Sequence, residues 1–463
     1  MTPRVDEGGL SHAICPIEFR YGRKQAKALF DRDTTLGRYL KVEAALVQAL
    51  AEEGIIPRQA AQDISKAVQE GKVALRRVDE LEAQTHHDVM ALVKALTEVS
   101  GSGGPYVHMG ATSNDILDTA RGLELKDAAV LLRGSLTDLI ASLVKQVELH
   151  KATAMVGRTH GQHAVPTTLG YKLANFAAEL LRHRKRLDEM VGRLAVGKMA
   201  GAVGTGASFG DLSEKLESRT MTLLGLAVDE APTQITGRDR LAEFAFWLAM
   251  VASTLDRLAT EVRNLQRTEI AELSEPFEEG SQVGSSTMAQ KRNPINSENV
   301  SSLARLIRAL PQPALENMVQ WHERDLANSA NERFLYSHGV ILLDEMLTRM
   351  RAIVDGWRVH PDRMLENMSM SGGAVMSEAL MLELTRRGMG RQEAHELLRN
   401  LTRDLKPKGK DSLLSRARAS EAVKKWIKDE EMERYFTPAA YVQVATDKTA
   451  RLLAGFKKEL KEH

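Results

Sequence analysis

Cysteine is nearly missing from this chain: Cys15 is the only one in 463 residues. A lone thiol cannot close an intramolecular disulfide, which sets aside disulfide-stapled scaffolds and fits a reducing compartment. Charge of one sign is missing too, with 63 Lys and Arg against 62 Asp and Glu. A general nucleic-acid binder carries a basic excess and interleaves it with aromatic residues. Neither pattern is present, although a local cationic pocket for an anionic metabolite stays open. There is no run of about 18 apolar residues long enough to cross a membrane. The opening MTPRVDEGGL has no apolar signal core. The chain therefore reads as cytoplasmic, with neither a membrane nor nucleic acid as partner. Alternating β-branched runs bounded by turns are also scarce, so few strands are expected. Internal repeats and low-complexity tracts are absent.

What is present is helical periodicity and, at 43% hydrophobic residues, enough apolar material for a large core. Leu132, Leu136, Leu139, Ile140, Leu143 and Val147 fall on one helical face. Val251, Leu255, Leu258, Val262 and Leu265 repeat at 4-3-4-3, close to a heptad seam. Leu36, Leu40, Leu46, Val47 and Leu50 form a third stripe. The spacing predicts an all-α protein built on a bundle of long helices, with either a monomeric core or an oligomeric seam behind these stripes. Breaks near Thr112–Asn114 and at 365–373 suggest three segments, 1–112, 113–366 and 367–463. Met364, Met368, Met370, Met376 and Met381 read as core and hinge packing.

Three polar or glycine-rich segments interrupt the helices and hold the unusual residues: GSGGPYVHMGATSND at 101–115, VGRTHGQHAVP at 156–166 and EEGSQVGSSTMAQKRNP at 278–294. In the last, Ser285 and Ser286 precede the cations Lys291 and Arg292. Asn293 then Pro294 reads as an N-cap and a first helical residue, which aims a positive helix end at the loop. Such a place suits a carboxylate or a developing oxyanion, and a solvated surface loop is the plain alternative. The second segment offers His160 and His163, with Pro166 suited to a helix start. Histidine titrates near neutrality and serves as general acid or base, while a metal pair or a structural hydrogen-bonded pair would use the same two residues. The stretch THHDVMAL at 85–92 adds His86, His87 and Asp88. Thr112 and Asp115 have capping-box spacing, and His108 is ambiguous on its own. A fourth glycine-dense stretch, GAVGTGASFGD at 201–211, reads as a turn or short hairpin.

Together these segments resemble the fumarase/aspartase superfamily and, within it, the adenylosuccinate lyase family. GSSTMAQKRNP matches the superfamily loop G-S-S-x-M-x-x-K-x-N-P, and TSND and GRTHGQ precede it in the superfamily's order. PIEFRYG at 16–22, THHDVMAL, PTQITGRDR at 232–240, WHERDLANSANER at 321–333 and RRGMGRQEAHELLR at 386–399 resemble segments of the adenylosuccinate branch, so the likeness covers nearly the whole chain. Two departures stand out: Ala289 replaces the proline that usually follows the loop methionine, and TSND replaces TS-(T/S)-D.

The resemblance implies a three-domain, all-α fold and an elimination that releases fumarate from adenylosuccinate and from the succinylated imidazole carboxamide ribotide. It implies Ser285 as general base and His160 as general acid, with Glu298 orienting His160. Lys291 and Asn293 would bind a substrate carboxylate, helped by Ser286 and Met288 of the same loop and by Thr159 beside the acid. Arg20 and Tyr21 would contact the nucleotide phosphate. His87, also carried over as catalytic, would line the site with Asp88, His108, Thr112 and Ser113. Gln234, Arg324, Ser329 and Arg333 would complete it. Neither cofactor nor metal is implied, and the family's homotetramer shares each site among subunits. Ser285 is expected to stand away from His160 until a mobile loop closes. Argininosuccinate lyase, or another fumarate-releasing member of the superfamily, is the alternative.

Overall fold

A computed structural model describes residues 14–277, 287–288, 290–405 and 411–461. Helices dominate. Among them are α1 (Arg32–Glu52), α2 (Asp88–Val99), α3 (Ser113–Leu149), α4 (Leu169–Leu194), α5 (Asp239–Leu265), α6 (Ile295–Ile307) and α7 (Ser329–Gly356). The predicted stripes are their buried faces. On α3, Leu132, Leu136, Leu139, Ile140, Leu143 and Val147 are all fully buried, and on α5 the seam from Val251 to Leu265 is buried throughout. Each such leucine contributes about 2 kcal/mol through the apolar area it removes from water. Among the described residues, no helix is long and apolar enough to cross a membrane.

The chain divides into two compact units. The first comprises Met1–Ser135, His183–Ser253 and Leu303–Leu347; the second comprises Leu136–Arg182, Thr254–Ser302 and Thr348–His463. In the first, α1 packs with the helices Arg58–Gln69 and Ser213–Leu224 around Leu46, Leu50, Ile64, Leu96 and Leu216. A two-residue parallel pairing of Val196–Gly197 with Ala227–Val228 lies in this unit. Gly122 of α3 is required there, since a β-carbon would stand 2.0 Å from the Val196 carbonyl oxygen.

The second unit contains the antiparallel hairpin β1 (Ala154–Thr159) and β2 (Gln162–Thr168), with a register shift between Val156 and Arg158. Its C-terminal helices, including Ser377–Arg386 and Arg391–Thr402, enclose a separate core of Leu380, Leu384, Leu398, Val423 and Ile427. Of the five methionines read as packing residues, Met364, Met368 and Met376 are buried and Met381 is partly buried against that core, whereas Met370 is exposed.

The structure corrects two local expectations and decides a third. Pro166 starts no helix; it lies inside β2 opposite Val156, beside the register shift, where a proline removes no regular ladder bond. The helix after the signature loop begins at Ile295, so Pro294 rather than Asn293 holds the cap position. Of the turn or short hairpin expected at 201–211, the structure has the turn, which leads into the 3-10 helix Ala207–Leu212.

Candidate active site

In the first unit, a cavity of about 430 Å³ gathers Asp88, Arg324, Ser329 and Arg333 from the expected site. Asp88 is the first residue of α2, Ser329 opens α7 and Arg333 lies one turn further on, 3.5 Å from the Asp88 carboxylate. Arg324 donates from Nη1 to Gln234 Oε1 at 2.9 Å, and the Gln234 amide in turn donates to the Ala202 carbonyl. His87 caps α2, its Nδ1 accepting the Met90 N–H at 3.3 Å. A neutral ring in that arrangement carries its proton on Nε2.

The cavity wall also holds residues that sequence reasoning missed. Asn114, Arg121 and Asn328 line it. Asn114 Nδ2, Asn328 Oδ1 and Arg324 Nε are buried without a hydrogen-bond partner among the described residues. Buried polar atoms are nearly always paired, so three at one cavity mark a place for a polar ligand. The Asn328 amide is oriented by Glu332, whose Oε1 accepts its Nδ2–H at 2.9 Å, which leaves the Asn328 oxygen as an acceptor. Glu332 belongs to a buried network in which Arg238 bridges it, at 2.9 Å, to Asp118, at 2.7 and 3.0 Å. Asn114 lay inside the quoted TSND, and Asn328 and Glu332 inside WHERDLANSANER. The motifs were visible, but not which of their side chains is left unsatisfied.

Thr112 and Ser113 stand at the start of α3. The Thr112 N–H donates to the Asp115 carboxylate at 2.8 Å, one half of the capping box. The same carboxylate accepts from the Ala200 and Gly201 amides and from the fully buried Lys198. His108 sits nearby in the left-handed region, with φ of 62°. Its ring Nδ1 lies 2.6 Å from Glu43 Oε1, and its backbone N–H donates to Glu43 Oε2 at 3.1 Å. Burial opposes charge on this ring, but the hydrogen bond and charge of Glu43, with Asp115 behind it, carry His108 above the ordinary histidine range. Arg20 and Tyr21 end the short helix Pro16–Phe19, their N–H groups donating to the Pro16 carbonyl; neither lines the cavity.

In the second unit, His160 and Gly161 form the two-residue turn of the β1–β2 hairpin, with φ of 54° and 73°. Positive φ at both positions matches the twist of the strands, and His160 is presented to solvent at the tip. Thr159 pairs with Gln162, and Arg158 with His163. Burial and then the Arg158 charge hold the His163 ring below its usual value, against a smaller opposing effect of Glu272. Lys291 and Glu298 are exposed, Glu298 in the first turn of α6. No hydrogen bond or ion pair joins Glu298 to His160 among the described residues. The expected anion site at the N-terminus of α6 is already taken: Glu275 accepts the Asn296 and Ser297 N–H groups at 3.2 and 2.6 Å. Met288 accepts the Lys291 N–H through its carbonyl, and Asn293 precedes the cap. Ser285, Ser286 and Ala289 lie outside the described residues, as does the expected separation of Ser285 from His160.

Four of the six non-glycine residues with positive φ among the described residues are histidines: His86, His108, His160 and His322. Each falls in a segment singled out above. Strained backbone of this kind collects at functional sites.

Known proteins resemble this chain along most of its length. Residues 20–308 match a family described as Lyase, and residues 373–452 match one described as Adenylosuccinate lyase C-terminus. The chain is 47% identical to the adenylosuccinate lyase of Pyrococcus abyssi over 91% of its own length and 93% of that protein. It is 42% identical to that of Methanocaldococcus jannaschii, over 96% of each. Among solved structures, a fumarate lyase from Mesorhizobium sp. BNC1 is similar at 30% identity and a TM-score of 0.85, covering 94% of this chain and 98% of that one. A 3-carboxy-cis,cis-muconate lactonizing enzyme from Pseudomonas putida is similar at 32% identity and a TM-score of 0.84, covering 95% and 98%. With motifs, helical fold and near full-length identity in agreement, the chain belongs to the adenylosuccinate lyase family.

Proposed function

We propose that this protein eliminates fumarate from adenylosuccinate to leave AMP, and acts likewise on the succinylated imidazole carboxamide ribotide. The observation that carries the reading is identity of 42–47% to proteins named adenylosuccinate lyase over nine-tenths or more of this chain. The first-unit cavity supports it, because cationic Arg324 and Arg333 stand there beside uncommitted amide groups, as a polar, anionic nucleotide requires.

The reaction removes a proton from the carbon next to a carboxylate, forms the C=C bond of fumarate, and breaks the C–N bond of the neighbouring carbon. Ser285, as its alkoxide, takes the proton. His160 gives one to the departing nitrogen. Negative charge building on the carboxylate is met by Lys291 and Asn293, and electrostatic preorganisation of this kind is often the largest catalytic contribution. Glu298 orients His160, and Thr159, Ser286 and Met288 adjoin the reacting groups. Arg20, Tyr21, His87, Asp88, His108, Thr112, Ser113, Gln234, Arg324, Ser329 and Arg333 hold the remainder of the substrate.

The enzyme is read as a cytoplasmic homotetramer without cofactor or metal, organised along the chain as 1–112, 113–366 and 367–463. Sites shared between subunits fit the exposure of His160 at its hairpin tip and the lack of a Glu298–His160 hydrogen bond or ion pair among the described residues.

The deciding experiment incubates purified protein with adenylosuccinate and follows AMP and fumarate together, with argininosuccinate in parallel. Equal formation of AMP and fumarate, lost in Ser285→Ala, is expected. Fumarate from argininosuccinate alone would keep the mechanism and overturn the substrate.

A further inference from the structure

The Glu43 carboxylate is fully buried in the middle of α1, on the same face as Leu36, Leu40, Val47 and Leu50. A charge on an apolar stripe is costly unless it is paired. Among the described residues, His108 is its only hydrogen-bond or ion-pair partner. The two oxygens divide the work, one accepting the His108 backbone N–H and the other meeting ring Nδ1. Other charges near His108 are already committed, since Asp115 holds Lys198 and three backbone amides.

We propose that Glu43 is a positioning residue for His108, holding its left-handed backbone and its ring with a single carboxylate so that Nε2–H is presented as a fixed, charged donor. This deepens the proposed function and rests on its placement of His108 against substrate. The two contacts act together: the backbone bond selects a conformation that L-residues rarely adopt, and the ring bond fixes rotation and keeps the proton on Nδ1. With Nδ1 committed, only Nε2 is left to meet a ligand. A ring whose proton is held by Glu43 adds positive charge where the succinyl group and phosphate bring negative charge. The same pairing resolves the buried carboxylate, which in its ionised form needs a cation beside it.

The test combines ring spectroscopy with kinetics on the full-length enzyme. Histidine is labelled with ¹⁵N and the His108 signals are assigned by their loss in His108→Gln. The wild type is expected to carry protons on both ring nitrogens at pH 7. In Glu43→Gln, which keeps an acceptor of the same size, the His108 titration midpoint should fall by about one unit or more, with kcat down about tenfold and KM little changed. Glu43→Asp, which restores the charge, should recover part of both. A folded Glu43→Gln with unaltered His108 titration and unaltered kcat overturns the proposal. If Glu43→Gln does not fold, the wild-type spectrum decides: a neutral ring at pH 7, whichever nitrogen holds the proton, overturns it, and a ring protonated at both nitrogens upholds it. Failure of the wild type to turn over adenylosuccinate would strike the proposed substrate alone, because the spectra are read without substrate.

Discussion

Arg158 and Glu272 are joined by two parallel hydrogen bonds, at 2.9 and 2.6 Å, with the carboxylate fully buried. Asn367 adds a third contact to Glu272 at 2.8 Å. Arg158 lies in β1 two residues before His160, so this pair anchors the base of the hairpin that carries the expected general acid. Arg158→Met strands a buried carboxylate, and breaking one side of such a pair costs about 3 kcal/mol or more. The expected outcome is a lower urea midpoint together with reduced kcat. Arg158→Lys should fall between, since an ammonium cannot copy the bidentate fork. A variant as stable and active as the wild type would show that the hairpin does not depend on this anchor.

The Glu43–His108 pair gives a pH dependence of defined sign. A histidine whose value is raised in the folded protein binds its proton more tightly there than in the unfolded chain. Its stabilisation is complete below the unfolded value of about 6.5 and is lost as pH rises through the raised folded value. Urea denaturation between pH 6 and 9 should therefore show a decline in the wild type that is smaller in Glu43→Gln. Equal declines would remove this pair as the source.

Glu275 sets the start of α6, just after the loop segment with Lys291. Its carboxylate holds the Asn296 and Ser297 amides, and its own N–H donates to Gln266 Oε1 at 2.9 Å. Gln266 also donates to the Arg292 carbonyl. Glu275→Ala should destabilise by about 1–2 kcal/mol through the lost cap and lower kcat by loosening the approach to Lys291. Glu275→Gln keeps an acceptor but loses the charge at the helix end, worth about 0.3–1 kcal/mol. Thermal melts and steady-state kinetics on both variants check the order. A larger loss in Glu275→Gln than in Glu275→Ala would reverse it.

The three apolar stripes were readable because helical burial repeats in sequence, and their residues are now seen buried on α1, α3 and α5. The segments around His87, His108, His160 and Arg324 were readable because glycine and histidine stand out against helical sequence. The hairpin was not: β1 and β2 are short and mix exposed with buried positions, and Pro166 pointed to a helix. The Glu275 cap was hidden for another reason, since it lies some twenty residues before the amides it holds. Glu43 falls on the stripe of Leu36, Leu40, Val47 and Leu50, but its meaning depends on His108, 65 residues away. Local periodicity carries the frame; which polar groups satisfy one another is settled by tertiary contact.

Gly122 offers a test of packing apart from chemistry. In the interior of α3 a glycine weakens the helix, so alanine would stabilise it if space allowed. Here the added β-carbon meets the Val196 carbonyl oxygen at 2.0 Å and its carbon at 3.0 Å, backbone atoms that cannot rotate away. The steric cost outweighs the propensity gain, and Gly122→Ala should destabilise by about 1–3 kcal/mol, the range for overpacking. A raised melting temperature would mean that the strand at Val196 yields.

Mixed tetramers test whether one chain holds a whole site. His160→Ala and Ser285→Ala proteins are each expected to be inactive. If every site draws His160 and Ser285 from different subunits, co-refolding equal amounts leaves both residues intact at about a quarter of the sites, by random assortment in a symmetric tetramer. Activity should then recover to about a quarter of the wild type. If both residues come from one subunit, every site carries one defect at any mixing ratio. No recovery from mixed tetramers, verified by tagging each parent differently, would count against shared sites. The recovered fraction thus distinguishes the two arrangements without a bound ligand.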